Sequence, residues 1–152
     1  MADGIKIVAK NRKTLHRYHI LEKVEAGICL TGSEVKSLRD GNVSIAEAFA
    51  RPQNGEMFMI GMRIAEYKSS GYASHEPDRK RKLLLHKKEI RRLSAEVAQK
   101  GLSIVPLSIY FKRGLAKVEL ALVRGKKMYD KREAIKEREQ ERDAQRRLGR
   151  RR

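Results

Sequence analysis

The sequence predicts a mainly β fold with helices, an α+β arrangement in which a small antiparallel barrel of the oligonucleotide-binding type carries two or three short helices and a flexible, charged C-terminal tail. Three observations lead there. Apolar, β-branched runs recur around residues 18–30, 43–64 and 102–123, and turn residues separate them. Two helix-period stretches interrupt those runs. The chain of 152 residues supports one modest core and an appendage, not two cores. The order of elements fits a split β-α-β sheet as well, and that is the competing architecture.

The first run, "RYHILEKVEAGICL", reads as strand, with a turn expected near Ala26-Gly27. "TGSEVKSLRDG" then changes character: Thr31 and Ser33 are N-cap residues, Val35 and Leu38 lie three apart, and Gly41 closes a helix of about two turns. "VSIAEAFARPQNGEMFMIGMRI" is a hairpin, because Asn54-Gly55 tolerates positive φ at both turn positions. In its second arm Phe58, Ile60, Met62 and Ile64 alternate, which predicts one buried face with methionine filling core space. Residues 65–82 form a polar loop punctuated by Gly, Pro and Ser.

"LLLHKKEIRRLSAEVAQKG" holds the clearest helix, with Ile90, Leu93 and Val97 on one face, Gly101 as terminator and His86 at the cap, three before Glu89. "LSIVPLSIYF" and "LAKVELALV" are two strands joined at Lys112-Arg113-Gly114, and Pro106 makes the first an edge strand or a bulged one. Phe49, Phe58 and Phe111 fall in strand-like runs and are expected in the core.

Charge points to the partner. The chain has 36 Lys and Arg against 19 Asp and Glu, a formal net of +17. Residues 125–152 contribute 12 basic and 6 acidic side chains, so the body, residues 1–124, is itself strongly basic. A balance of this kind suits a polyanion, and phosphate backbones are the commonest. Basic clusters fall at Lys10–Arg17 ("KNRKTLHR"), Asp78–Lys82 ("DRKRK") and His86–Arg92 ("HKKEIRR"). Each alone could be a solvated face; together they can neutralise many phosphates. With five Tyr, three Phe and no Trp there is little ring surface for stacking a bare single strand, which favours a structured RNA read by shape and backbone.

Other classes find less support. The four His (His16, His19, His75, His86) are scattered without metal-ligand spacing, and there is no phosphate-binding Gly-rich loop and no nucleophile-elbow serine. The expectation is a binding protein without enzymatic activity, metal or cofactor. Cys29 is read as a small buried hydrophobe. No apolar run approaches the roughly 20 residues of a membrane span, and the first residues lack a signal-peptide core, so a cytoplasmic protein with no membrane partner is expected.

From Gly125 the tail has helix-forming residues but almost no apolar face; Ile135 and Leu148 are its only large aliphatics after Met128. An isolated helix of that kind is marginal in water, so the tail is expected to be disordered when free and helical against a negatively charged groove. Tyr129 between Lys127 and Lys131 is placed to stack on a base or to remain in solvent.

"NRKTLHRY", "AGICLTGSEVKSLRDG", "RKRKLLLHKKEI", "GLSIVPLSIYFKRGLAKVELAL" and "GKKMYDKRE" resemble the small protein B (SmpB) family of bacterial SsrA-binding proteins, in order and from about Asn11 to Glu133. "LTGSEVKSLR" with "GKKMYDKR" is the specific part. The resemblance implies a barrel that binds the tRNA-like domain of transfer-messenger RNA. It further implies action in trans-translation, with elongation factor Tu and GTP joining through the RNA complex. On this basis the RNA-binding candidates are Asn11, Arg12, Lys13, Glu34, Lys36, Arg39, Arg79, Arg81, Lys82, Leu84 and His86.

Glu34 stands at the glutamate of the family's "G-x-E-V-K-S" motif; it either accepts from RNA or braces a basic neighbour. Leu84 and His86 match the leucine-rich stretch before the long helix, with His86 where the family often has Asn. The tail residues Gly125, Lys126, Lys127, Tyr129, Asp130, Lys131 and Arg132 match a segment that, in the family, occupies the small-subunit decoding centre and empty mRNA channel. The rivals are a ribosome-associated barrel that binds ribosomal RNA directly and an RNA-modifying enzyme.

Overall fold

In the computed structural model, which describes residues 4–67 and 75–125 with Arg142 alone beyond them, the chain runs β1 (Ile5–Lys10), α1 (Thr14–Arg17), β2 (Tyr18–Ile28), α2 (Gly32–Arg39), β3 (Val43–Ser44), β4 (Phe49–Gln53), β5 (Glu56–Ile60), β6 (Arg63–Ile64), β7 (Arg81–Leu84), α3 (Lys87–Lys100), β8 (Ser103–Lys112) and β9 (Leu115–Gly125). All pairings are antiparallel. The order β8-β4-β5-β7-β2-β9 returns to β8 through the β8–β9 hairpin, so the sheet closes on itself as a barrel. β1 adds to the outer part of β8, from Ile5↔Lys112 to Lys10↔Ser108, while β3 and β6 form a separate two-stranded pair. The split β-α-β arrangement is thereby set aside.

Closure follows from long strands with defined irregularities. β8 is no edge strand: it pairs β1, β4 and β9, and its ladder with β9 shifts register between Pro106 and Ser108, where the missing proline N–H interrupts the bonding. β2 runs straight through Ala26 and Gly27, paired to Val118 and Lys117, so the expected turn there is absent. Gly27 serves instead as a point of close approach to β7. The β4–β5 hairpin turns at Asn54 (φ 51°) and Gly55 (φ 76°), both left-handed as the dipeptide requires.

The buried face of β5 is the opposite of the one alternation predicts. Met57 and Met59 are inside, Phe58 and Ile60 are half-buried, and Met62 and Ile64 are inside again. The phase changes by one residue across Gly61, whose φ of 78° kinks the chain. All three methionines are fully buried, as core filling requires. Leu38 of α2 and Ile90 and Leu93 of α3 close the same core. Burying a side chain as completely as Leu38 contributes roughly 1.5–3 kcal/mol.

Two other expectations fail. Cys29 is exposed, because β2 ends at Ile28 and the chain leaves the barrel wall there toward α2. Of the three phenylalanines only Phe111 is buried; Phe58 lies half-buried under the Lys80 ammonium, and Phe49 is 41% exposed. No helix of the described residues is long and apolar enough to cross a membrane. The tail residues 126–132 lie outside the described residues.

Candidate nucleic-acid interface

The site is built around one buried carboxylate. Thr31 caps α2: its hydroxyl accepts from the Glu34 N–H at 3.4 Å, and Glu34 Oε1 accepts from the Thr31 N–H at 2.8 Å, the reciprocal pair that satisfies two free donors of a helix start. Glu34 is 0% exposed and does more than cap. Oε1 also accepts from Arg79 Nη2 at 2.6 Å, and Oε2 accepts from Arg81 Nε at 2.5 Å. Arg81, itself fully buried, spends its other donors on the carbonyls of Met62 at 2.7 Å and Pro77 at 3.1 Å. One carboxylate therefore ties the start of α2 to β7 and to the end of the loop before it.

Burial alone would raise the Glu34 pKa. Hydrogen bonds from Arg79, the Thr31 backbone and Arg81 outweigh it and lower the value to about 2. Burial draws the Arg81 guanidinium downward, opposed by its bond to Glu34. His75 adds a second strap. Its Nε2 lies 2.9 Å from the Ile64 carbonyl, which can only accept, so Nε2 donates, and its Nδ1 meets the Ser33 hydroxyl at 2.9 Å.

These placements decide between the two roles open to Glu34. It braces basic side chains and has no surface to offer RNA, and neither does Arg81, whose place in an exposed basic cluster is corrected by its burial. The cluster "DRKRK" is thus divided by strand alternation: Arg81 points in, Lys80 and Lys82 point out, and Arg79 keeps a side chain 37% exposed.

Beside this brace lies an open groove of about 520 Å³ lined by Lys82, Leu84, His86, Lys87 and Lys117, with Glu25 and Glu56 on its walls. Lys82 Nζ sits 3.1 Å from Glu56 Oε1, and Leu84 stands 52% exposed among these charges. His86 opens α3, where its N–H donates to the Glu89 carboxylate at 3.3 Å. Lys117 and the bare backbone of Gly27 were not legible as site residues, since both reach the groove only through the pairing of β2 with β9 and β7. The remaining candidates are elsewhere. Lys36 and Arg39 are exposed on α2, their charges over the rings of Tyr67 (5.8 Å) and Phe111 (5.4 Å). Asn11, Arg12 and Lys13 lead into α1 by a different cavity, and the Asn11 amide is tied to the carbonyls of Ile45 and Pro106. Gly125 ends β9 opposite Tyr18.

Among the described residues no three His, Cys, Asp or Glu converge as metal ligands would. A closed antiparallel barrel with short helices and exposed cations around an apolar contact defines a nucleic-acid-binding module of the oligonucleotide-binding type. Residues 8–150 match the family described as SmpB protein, and the chain belongs to that family. It is 55% identical over 147 residues to an SsrA-binding protein of Solidesulfovibrio magneticus, covering 97% of this chain and 96% of the relative. It is 50% identical to an SsrA-binding protein of Nitratidesulfovibrio vulgaris, covering 98% and 97%. Among solved structures it is similar to a chain described as "tmRNA-SmpB: a journey to the center of the bacterial ribosome", with TM-score 0.65 and 55% identity over 78% of this chain and 83% of that one.

Proposed function

We propose that this protein binds transfer-messenger RNA (SsrA RNA) and serves ribosome rescue, with the tRNA-like domain as the part of the RNA it holds. The observation that carries the reading is 55% identity, over nearly the whole of both chains, to a protein named for binding SsrA. The geometry supports it with an exposed Leu84 between Lys82, His86 and Lys117, a mixed apolar and cationic strip suited to a base face beside a phosphate backbone. Arg12, Lys13, Lys36, Arg39 and Arg79 are the outer phosphate contacts in this reading, and Glu34 with Arg81 holds the strip in place from beneath. The activity is binding, with no chemical step.

Elongation factor Tu with GTP joins through the RNA, and the basic tail from Gly125 takes the decoding centre and empty mRNA channel. The cytoplasmic expectation follows from work on ribosomes. Competition binding at near-physiological salt, with transfer-messenger RNA against an elongator tRNA and a ribosomal RNA fragment of similar length, tests the partner. Clear preference for the first is expected. Equal, steeply salt-dependent binding of all three would reduce the interaction to charge alone. Truncation after Arg124 tests the tail: RNA binding persists and tagging on stalled ribosomes is lost, whereas full tagging by the shortened chain would remove the tail from the mechanism.

A further inference from the structure

A second apolar cluster lies on the outer wall of the barrel. In β9, Val118, Leu120 and Leu122 point into the main core, so Ala121 and Val123 point outward. Val105 of β8, paired with Ala121, joins them, and Tyr18, Ile20 and Leu107 pack around the three. All six stand on β2, β8 and β9. Yet Ala121 and Val123 are 0% exposed. Side chains on one sheet face shield each other from the sides and not from above, so a face buried this completely has something lying over it. The described helices do not supply it. α2 and α3 turn Leu38, Ile90 and Leu93 into the main core, and Leu15, the apolar side chain of the one-turn α1, stands exposed.

Chain reach identifies the cover. Residues 1–3 join β1 where Ile5 pairs with Lys112, seven residues along β8 from Val105, roughly 23 Å away; three residues span only about 10 Å. Residues 68–74 start from the α2 side and return to His75, which is tied to Ser33 and the Ile64 carbonyl. α2 follows the Ile28 end of β2, while Ile20 is eight residues back along that strand, roughly 26 Å, twice what a seven-residue loop reaches out and back. The tail, by contrast, leaves the barrel at Gly125, two residues beyond Val123 on the same strand.

We propose that the start of the C-terminal tail folds back over this outer face in the free protein, with Met128 and Ile135 as its apolar anchors. Seven residues apart, the two share one side of a helix, and a cluster this small needs no more than two anchors. Charge agrees with the seat. Glu119 and Glu25 stand opposite each other beside it, and Glu25 is already engaged by the Tyr110 hydroxyl and by Lys112. Glu119 is therefore left for one of the tail's 12 basic side chains. The docking is independent of the transfer-messenger RNA reading. Its consequence rests on that reading: a tail seated on its own barrel is held in reserve and has to be released before it enters an mRNA channel.

The test is paramagnetic relaxation enhancement on the full chain without RNA, with a nitroxide on Lys136→Cys in a Cys29→Ser background. Cys29 is exposed, so its replacement leaves the core untouched. The amide signals of Ile20, Leu107 and Ala121 are expected to lose most of their intensity, while those of Lys82, Leu84 and His86 keep theirs. Met128→Ser combined with Ile135→Asp should restore the lost signals, and both changes lie beyond β9, so the barrel remains a valid reference. Uniform or absent broadening would overturn the proposal, as would selective broadening that survives the double substitution. Mixing spin-labelled chains with isotope-labelled chains that carry no nitroxide completes the test: broadening passed between chains would mean that a second copy covers the face, which also overturns it.

Discussion

Gly27 and Leu84 face each other across the β2–β7 ladder so closely that a methyl group on Gly27 would lie 3.2 Å from the Leu84 Cβ and 3.3 Å from its Cδ1. Leu84 is half exposed because it lies over bare backbone rather than over a side chain. A Cβ is fixed to the main chain and cannot swing aside, so a side chain at position 27 requires the two strands or the Leu84 side chain to give by a few tenths of an ångström.

Gly27→Ala should therefore weaken transfer-messenger RNA binding by about 1 kcal/mol, roughly fivefold, through Leu84 and not through a contact of its own. A double-mutant cycle checks this. In a Leu84→Ala background the added methyl should change affinity little. Fully additive losses would show that Gly27 does not act through Leu84.

Glu34→Ala is expected to cost stability before it costs recognition. Arg81 would remain in the core with its countercharge removed, a change that typically destabilises by about 3–5 kcal/mol. Urea denaturation of the variant measures it, and Glu34→Ala with Arg81→Met should recover part of the loss by removing the stranded cation. A single variant as stable as the wild type would mean that the buried guanidinium finds water or another acceptor, and that the brace is dispensable.

The same carboxylate sets an acid limit. Its folded pKa of about 2 lies below the ordinary 4.5, so the stabilisation it provides is complete above about pH 4.5 and is lost as pH falls toward about 2. Arg79 supplies the foremost of the hydrogen bonds that lower it. Arg79→Met should accordingly raise the midpoint of acid unfolding and also lower stability near neutral pH, where the lost hydrogen bond counts in full, though by less than Glu34→Ala because Arg81 still pairs with Glu34. Circular dichroism followed from pH 6 to pH 1.5 reads both midpoints; coincident curves would argue that other groups govern acid unfolding.

Local chemistry was legible in the sequence and register was not. Asn54-Gly55, the helix ending at Gly101 and the interruption at Pro106 each announce themselves through a φ requirement or a missing N–H, and each was found where expected. The strand nature of Arg81–Leu84 was hidden because "LLL" runs directly into a helix-period segment, and β1 gives only a short alternation at the chain start. The brace was half visible: the Thr31–Glu34 capping pattern is local, but the two arginines that complete it arrive from more than forty positions away. Whether Arg81 faces core or solvent depends on the pairing Met59↔Arg81, which periodicity cannot supply. Phe49 was misread for a related reason, since a β-prone ring carries no mark of which face of a barrel wall it occupies.

Gly61 is the residue through which that missing information acts. Its φ of 78° and the 2.9 Å that would separate an added Cβ from the Glu47 carbonyl oxygen leave no room for another residue type. The kink lets Met57 and Met59 on one side and Met62 and Ile64 on the other all enter the core. Gly61→Ala should cost about 1–2 kcal/mol for the left-handed backbone alone, and more once the contact with Glu47 is relieved by moving the chain. Because Arg81 donates to the Met62 carbonyl, the displacement should also loosen the Glu34 network and reduce RNA affinity in the folded variant. Thermal unfolding and RNA binding measured on the same preparation separate these effects. A Gly61→Ala protein of wild-type stability would mean that the strand can reset its phase without the kink, and the inside–outside pattern of β5 would then need another cause.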